Sequence, residues 1–163
     1  MQNFDIPIAV ALAWAVGLLL IGGLMTPRDN WYASLNKPVW QPPGWAFGPA
    51  WTIILGLAGW SGVIAWKAAA GPAEQRAILI LFAVNGLCHF LWSPLFFKLR
   101  RPDWALIEVP FLWGSILALV IGLWPISQGA ALLNLPYLAW VSFAAFLNLT
   151  IVRLNPRGAA AAA

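Results

Sequence analysis

Residues 104–124 read WALIEVPFLWGSILALVIGLW. The stretch is apolar except for Glu108 and Ser115, and a tryptophan stands at each end. A helix rises about 1.5 Å per residue, so roughly 20 such residues cross a hydrocarbon core of about 30 Å. In lipid every backbone donor and acceptor must be paired internally, which leaves a helix or a closed barrel. Barrel strands alternate apolar and polar residues, and this stretch does not. It predicts a transmembrane helix.

Four further stretches of the same kind flank it: Ile6–Met25, Trp45–Trp66, Ala77–Phe97 and Leu132–Val152. The chain of 163 residues is 62% hydrophobic and 9% charged, far too little charge for the surface of a soluble domain. The expected fold is all-α, a five-helix transmembrane bundle in one domain over 1–158, with 159–163 read as an added tail. The first stretch lacks the basic leader of a signal peptide, carries Asp5 at its start and is too long for one. The single cysteine, Cys88, excludes an internal disulfide and reads as a small buried residue. No cluster of His, Cys and carboxylates predicts a metal site.

The charges fall unevenly. Lys67 and Arg76 lie on one side of the five stretches. Arg28, Lys37, Lys98, Arg100, Arg101, Arg153 and Arg157 lie on the other. Basic residues favour the cytoplasmic side, so the N-terminus is expected outside and the C-terminus in the cytoplasm, in an inner-type membrane. The same dispersion makes these residues orientation anchors and argues against a nucleic-acid surface.

Pro7 and Pro49 fall in first turns, where a missing N–H does no harm. Pro94, Pro110 and Pro136 fall deeper and predict kinks. Small residues at helical spacing, Ala9-Ala13-Gly17 and Ala58-Gly62, predict close helix contacts.

Of the 12 tryptophans, Trp31, Trp40, Trp45, Trp66, Trp104 and Trp124 lie at or beyond span ends and suit the headgroup belt. Trp14, Trp51, Trp60, Trp92, Trp113 and Trp140 lie inside spans. An indole N–H there wants a partner, so these are expected to face the bundle or a ligand. Counting from the cytoplasmic ends, Trp51, Trp92, His89 and Asn148 lie roughly 7–13 Å deep, and Asn85 and Trp140 near 20 Å. Asn85, His89, Trp92 and Phe96 share one helical face, as do Trp140, Ala144 and Asn148. His89 has two readings, an interhelical hydrogen bond or a ligand contact. Glu108 is expected to pair with Arg100 or Arg101 near the interface.

The long first connection contains WYASLNKPVWQPPGWAFGPAW at 31–51. It is too aromatic for a disordered segment. Prolines stiffen it, and its rings could bury against an aromatic-lined cavity suited to a flat hydrophobic ligand. It reads as a lid.

This segment, with FLWSPLFF at 90–97 and LPYLAWVSFAAFLN at 135–148, resembles the TspO/MBR family of tryptophan-rich sensory proteins and translocator proteins, also called peripheral benzodiazepine receptors. The resemblance covers nearly the whole chain. It implies a five-helix bundle, commonly a homodimer, with a pocket beneath the first loop. It implies protoporphyrin IX or haem as ligand, no required cofactor, and in some members sterol or benzodiazepine-site ligands. The implied pocket positions are Tyr32, Phe47, Ala50, Trp51, Trp92, Trp104, Phe111, Trp140, Ala144 and Leu147. Trp51 and Trp140 match tryptophans implicated in light-dependent porphyrin breakdown. Two departures stand out. His89 replaces the family's usual Asn and could touch a haem iron or a porphyrin carboxylate. LNLTIVRLN at 147–155 lacks the tyrosine of the sterol-associated motif, which lowers the expectation of cholesterol binding.

Three functions follow. The first is a membrane receptor or carrier for tetrapyrroles in stress sensing or porphyrin traffic. The second is an enzyme that degrades protoporphyrin with light and oxygen, with Trp51 and Trp140 as its working residues. The third is a structural or lipid-binding assembly partner. With no general acid–base pair, nucleophile or phosphate loop evident, binding is favoured over dedicated catalysis.

Overall fold

The computed structural model describes residues 6–26 and 29–156. Arg28, Arg157 and the 159–163 tail lie outside the described residues. The described chain is helical, with five helices long and apolar enough to cross a membrane. In chain order they are α1 (Ile6–Leu24), α3 (Phe47–Ala68), α4 (Pro72–Ser93), α5 (Pro102–Leu123) and α7 (Leu135–Leu154). Two short helices complete the set, α2 (Asn30–Ser34) in the first connection and α6 (Gln128–Leu132) before α7.

The five long helices pack as a ring in the order α1, α3, α7, α5, α4 and back to α1. The seam between α3 and α7 is the thinnest in that ring. Because lipid tails are as apolar as the side chains, helices in a bilayer associate through close packing and hydrogen bonds. A Cβ on Gly59 of α3 would stand 3.3 Å from the Ala11 carbonyl of α1, and Ala58 beside it is buried. Gly62 faces the Phe82 ring of α4, so Ala58 and Gly62 do serve helix contact. Ala13 and Gly17 of the Ala9-Ala13-Gly17 stripe do not meet a helix of the same chain. Ala13 is exposed and Gly17 has open space beside it, while Ala11 and Ala15, on a neighbouring face of α1, meet α3.

Buried polar residues bolt the ring together. Asn85 of α4 donates to Ser115 Oγ of α5 at 2.9 Å. Asn134 donates to Ser61 Oγ of α3 at 2.8 Å. The Asn148 carboxamide of α7 donates to the Pro102 carbonyl and accepts from the Leu106 N–H, both at 3.1 Å, in the first turn of α5. Asn85 and Asn148 thus hold helices together.

The prolines behave in three ways. Pro94 ends α4 in a wider π turn over Pro94–Lys98, closed by the Leu99 N–H on the Pro94 carbonyl at 2.9 Å. Pro110 sits inside α5, which continues through it. Pro136, expected deep in a span, lies in the first turn of α7, because the chain turns at Leu133 and Asn134 between α6 and α7.

Candidate functional site

The first connection is ordered by its own polar residues. Asp29 caps α2, accepting from the Tyr32 N–H at 3.0 Å. The Arg100 guanidinium meets the same carboxylate at 3.0 Å. Asn36 and Asn155 clasp reciprocally. The Asn36 N–H donates to Asn155 Oδ1, and Asn155 Nδ2 donates to the Asn36 carbonyl, each at 2.9 Å. Trp31, Tyr32 and Leu35 pack on Phe96 and Phe97 of the π turn, Ala105 of α5, and Leu147 and Ile151 of α7. Farther along, Trp40 stacks on Phe146 of α7, with centroids 5.2 Å apart and planes at 17°. The segment therefore lies across the loop-side ends of α4, α5 and α7, as the lid reading expected. A short helix inside it takes the place of an irregular loop.

Beneath it, rings from three helices meet. Trp51 of α3 stands edge-on to His89 of α4 at 4.8 Å, to Tyr137 of α7 at 6.1 Å and to Trp140 of α7 at 6.2 Å. The His89 Nδ1 and the Tyr137 hydroxyl lie 2.9 Å apart, so the interhelical hydrogen bond is present. Phe47 meets Trp140 at 5.9 Å, and Phe143 meets it at 5.6 Å. The open volume sits at the flank, in a groove of about 420 Å³ at the thin α3–α7 seam, lined by Ala50, Ile53, Ile54, Pro136, Ala139, Trp140 and Phe143. Trp140 Nε1 is buried there with no hydrogen-bond partner among the described residues.

The other expected positions divide. Tyr32, Phe47, Trp92 and Leu147 join the aromatic cluster under the lid. Ala50 lines the α3–α7 groove, and Ala144 is half-buried one turn beyond Trp140. Trp104 and Phe111 do not join them. They line a second groove with Leu95, Ile107 and Glu108 on another side of the bundle.

Three expectations need correction. Trp60 is 52% exposed, because Ala58, Gly59 and Ser61 occupy the inward face of α3 and turn the indole outward. Trp113 also lies on the outer surface, although its N–H is satisfied by Ser142 Oγ at 2.9 Å. Glu108 pairs with neither arginine. Arg100 is drawn to Asp29, and Arg101 makes a forked contact with Asp103 at 2.9 and 2.8 Å. Tyr137, Ser115 and Phe143 were given no role by the sequence. Tyr137 lies three residues before Trp140, and that spacing was the available signal.

Comparison with known proteins identifies the family. The TspO/MBR family profile matches residues 9–154. The tryptophan-rich protein TspO of Chlorobaculum tepidum is 35% identical over 161 residues, covering 95% of this chain and 98% of the relative. The translocator protein of Sus scrofa is 36% identical over 86% of this chain and 89% of its own. Protein CrtK of Rhodobacter capsulatus is 33% identical over 91% and 89%. With the lid segment, the ring of five spanning helices and these matches in agreement, the chain belongs to the TspO/MBR family.

Proposed function

We propose that this integral membrane protein binds a tetrapyrrole, protoporphyrin IX or haem, in the α3–α7 groove, and acts as a receptor or carrier in stress sensing or porphyrin traffic. The observation that carries the reading is Trp140. Its indole lines an apolar groove, its buried N–H has no partner among the described residues, and Trp51, Phe47 and Phe143 stand around it. A flat macrocycle offers these rings a stacking partner, and a volume near 420 Å³ falls in the range of small-molecule sites. The lid touches the groove wall through Trp40 on Phe143 at 6.0 Å, so movement of the lid would open the groove to a ligand. The charge asymmetry favours the lid on the cytoplasmic side of an inner-type membrane.

A second reading, light-driven breakdown of the porphyrin, draws support from the same rings. Trp140, Trp51 and the Tyr137–His89 pair form a continuous row of oxidisable side chains leading away from the groove. One experiment addresses both. Purified protein is mixed with protoporphyrin IX and its absorbance followed in the dark and under light. A red-shifted Soret band that persists in light supports the receptor. Loss of the band under light, slowed in Trp51→Phe and Trp140→Phe, supports the enzyme. An unchanged spectrum rejects both.

A further inference from the structure

We propose that the groove on α5 is a second binding site, for a lipophilic amine, with Glu108 as its anchor. Glu108 lies within a membrane-spanning helix and is only 7% exposed. Neither of its carboxyl oxygens has a hydrogen-bond partner among the described residues. The two arginines at the adjacent end of α5 are committed elsewhere, Arg100 to Asp29 and Arg101 to Asp103. Glu108 lines a groove of about 400 Å³ whose other walls are Leu95, Trp104, Ile107 and Phe111. Trp104, Ile107 and Phe111 are exposed on the outer face of α5, so the groove opens sideways to the acyl chains.

A buried carboxyl group with no partner is costly in hydrocarbon, and intramembrane carboxyls commonly mark a functional site. Charge complementarity selects the occupant. An ammonium supplies both the positive charge and the N–H donors that two empty carboxylate oxygens require. Its apolar body would lie against Leu95 and Ile107, and the Phe111 ring offers a face to a cation, the Trp104 ring already carrying the Arg101 guanidinium 4.0 Å from its centroid. An anionic amphiphile would be repelled, and a hydrocarbon chain alone would leave the carboxylate unmatched. The site shares no lining residue with the α3–α7 groove, so it can fail independently of the tetrapyrrole reading; Trp104 and Phe111, implied as pocket positions by the family resemblance, belong to this second groove, and what is new is the anchor at Glu108 and the class of ligand.

The test uses the full chain in a neutral maltoside detergent with three probes of one chain length: dodecylamine, dodecyltrimethylammonium, which has charge but no N–H, and dodecanol. Binding is followed by calorimetry and by the shift in unfolding temperature. Dodecylamine is expected to bind and stabilise, the trimethyl compound more weakly, and the alcohol least. Glu108→Gln should weaken dodecylamine binding by about ten- to a hundredfold, the worth of a charge-assisted hydrogen bond, while leaving the protoporphyrin IX response unchanged. Ile107→Trp, at an exposed position in the groove wall, should block the amine in a protein that retains Glu108, which keeps the test decisive if the first variant folds poorly. Equal dodecylamine binding by wild type and either folded variant, or equal binding of all three probes, overturns the proposal.

Discussion

The Tyr137 hydroxyl and Nδ1 of His89 lie 2.9 Å apart, and both rings pack edge-on against Trp51. One hydrogen bond therefore joins α4 to α7 and sets the walls of the cage that holds Trp51. In a membrane protein such bonds contribute about 0.6 kcal/mol on average, with a maximum near 1.7. Tyr137 is fully buried, and Tyr137→Phe leaves His89 without this partner. A double-mutant cycle with Tyr137→Phe and His89→Ala should give a coupling energy of about 0.6–1.7 kcal/mol in detergent unfolding. Strict additivity would show that the bond has no energetic role. The exchange His89→Asn also probes haem. If the imidazole touches bound haem, the Soret position and affinity change. If His89 serves only Tyr137, both stay as in wild type.

Glycines at helix contacts predict an ordered set of tolerances. A Cβ on Gly86 would lie 2.9 Å from Trp14 Nε1, a rigid indole whose N–H donates to the Phe82 carbonyl at 3.2 Å. A Cβ on Gly122 would lie 2.8 Å from Leu81 Cδ1, the far end of a side chain that can rotate away. Gly17 faces open space. Gly86→Ala should destabilise by about 1–3 kcal/mol through overpacking. Gly122→Ala should cost less, and Gly17→Ala should be neutral or stabilising by up to about 1 kcal/mol through helix propensity. Thermal unfolding of the three variants in one detergent checks the order.

The span boundaries could be read from hydropathy because the bilayer fixes helix length, and residues 104–124 differ from α5 by only a residue or two at each end. What escaped the sequence was rotation about each helix axis. Lipid and protein interior are equally apolar, so apolar residues give no phase, and Trp60 could not be told from Trp51 by composition. Depth counted from the span ends did not pair these rings either: Trp51 and Trp140, counted to different depths, have centroids 6.2 Å apart. Polar pairing was legible only as an obligation. Asn85 had to find a partner, but Ser115 lies 30 residues away on another helix, and nothing local to Asn85 names it.

The lid latch predicts a pH dependence of definite sign. Asp29 has its carboxyl pKa held below the ordinary 3.8, first by the hydrogen bond from the Tyr32 N–H and then by the Arg100 guanidinium. A depressed folded-state value means the latch contributes fully above the unfolded value and is lost as pH falls through the folded one. The carboxylate is solvent-screened, so the effect belongs to the lid and not to global stability. Protease or spin-label access to residues 30–40 should stay constant near neutral pH and rise only below the usual carboxylate range. Asp29→Asn should show raised access at every pH with no such step. Arg100 adds a backbone signature, since its φ of 52° lies in the left-handed region. Arg100→Ala loses the pair and keeps the strain, whereas Arg100→Gly loses the pair and relieves it. The glycine variant should be the more stable of the two, by about 1 kcal/mol.

Trp40 couples the lid to the groove. It stacks on Phe146 and meets Phe143, and Phe143 in turn lines the α3–α7 groove beside Trp140. An aromatic pair contributes about 0.5–1.5 kcal/mol beyond its buried area, and Trp40 makes two. Removing the ring in Trp40→Ala takes away contacts that hold the lid against the groove without touching Trp51, His89 or Trp140. A ligand that enters beneath the lid should then leave roughly tenfold faster, or more, measured by Soret relaxation after adding a scavenger such as apomyoglobin to haem-loaded protein. Its entry should quicken as well, so the equilibrium constant should move less than either rate. Trp45→Ala is the control, because Trp45 is exposed and makes no ring contact with the groove wall. If Trp40→Ala changes neither rate while Trp140→Phe changes affinity, the ligand reaches the groove through the open α3–α7 seam and the lid is not its gate.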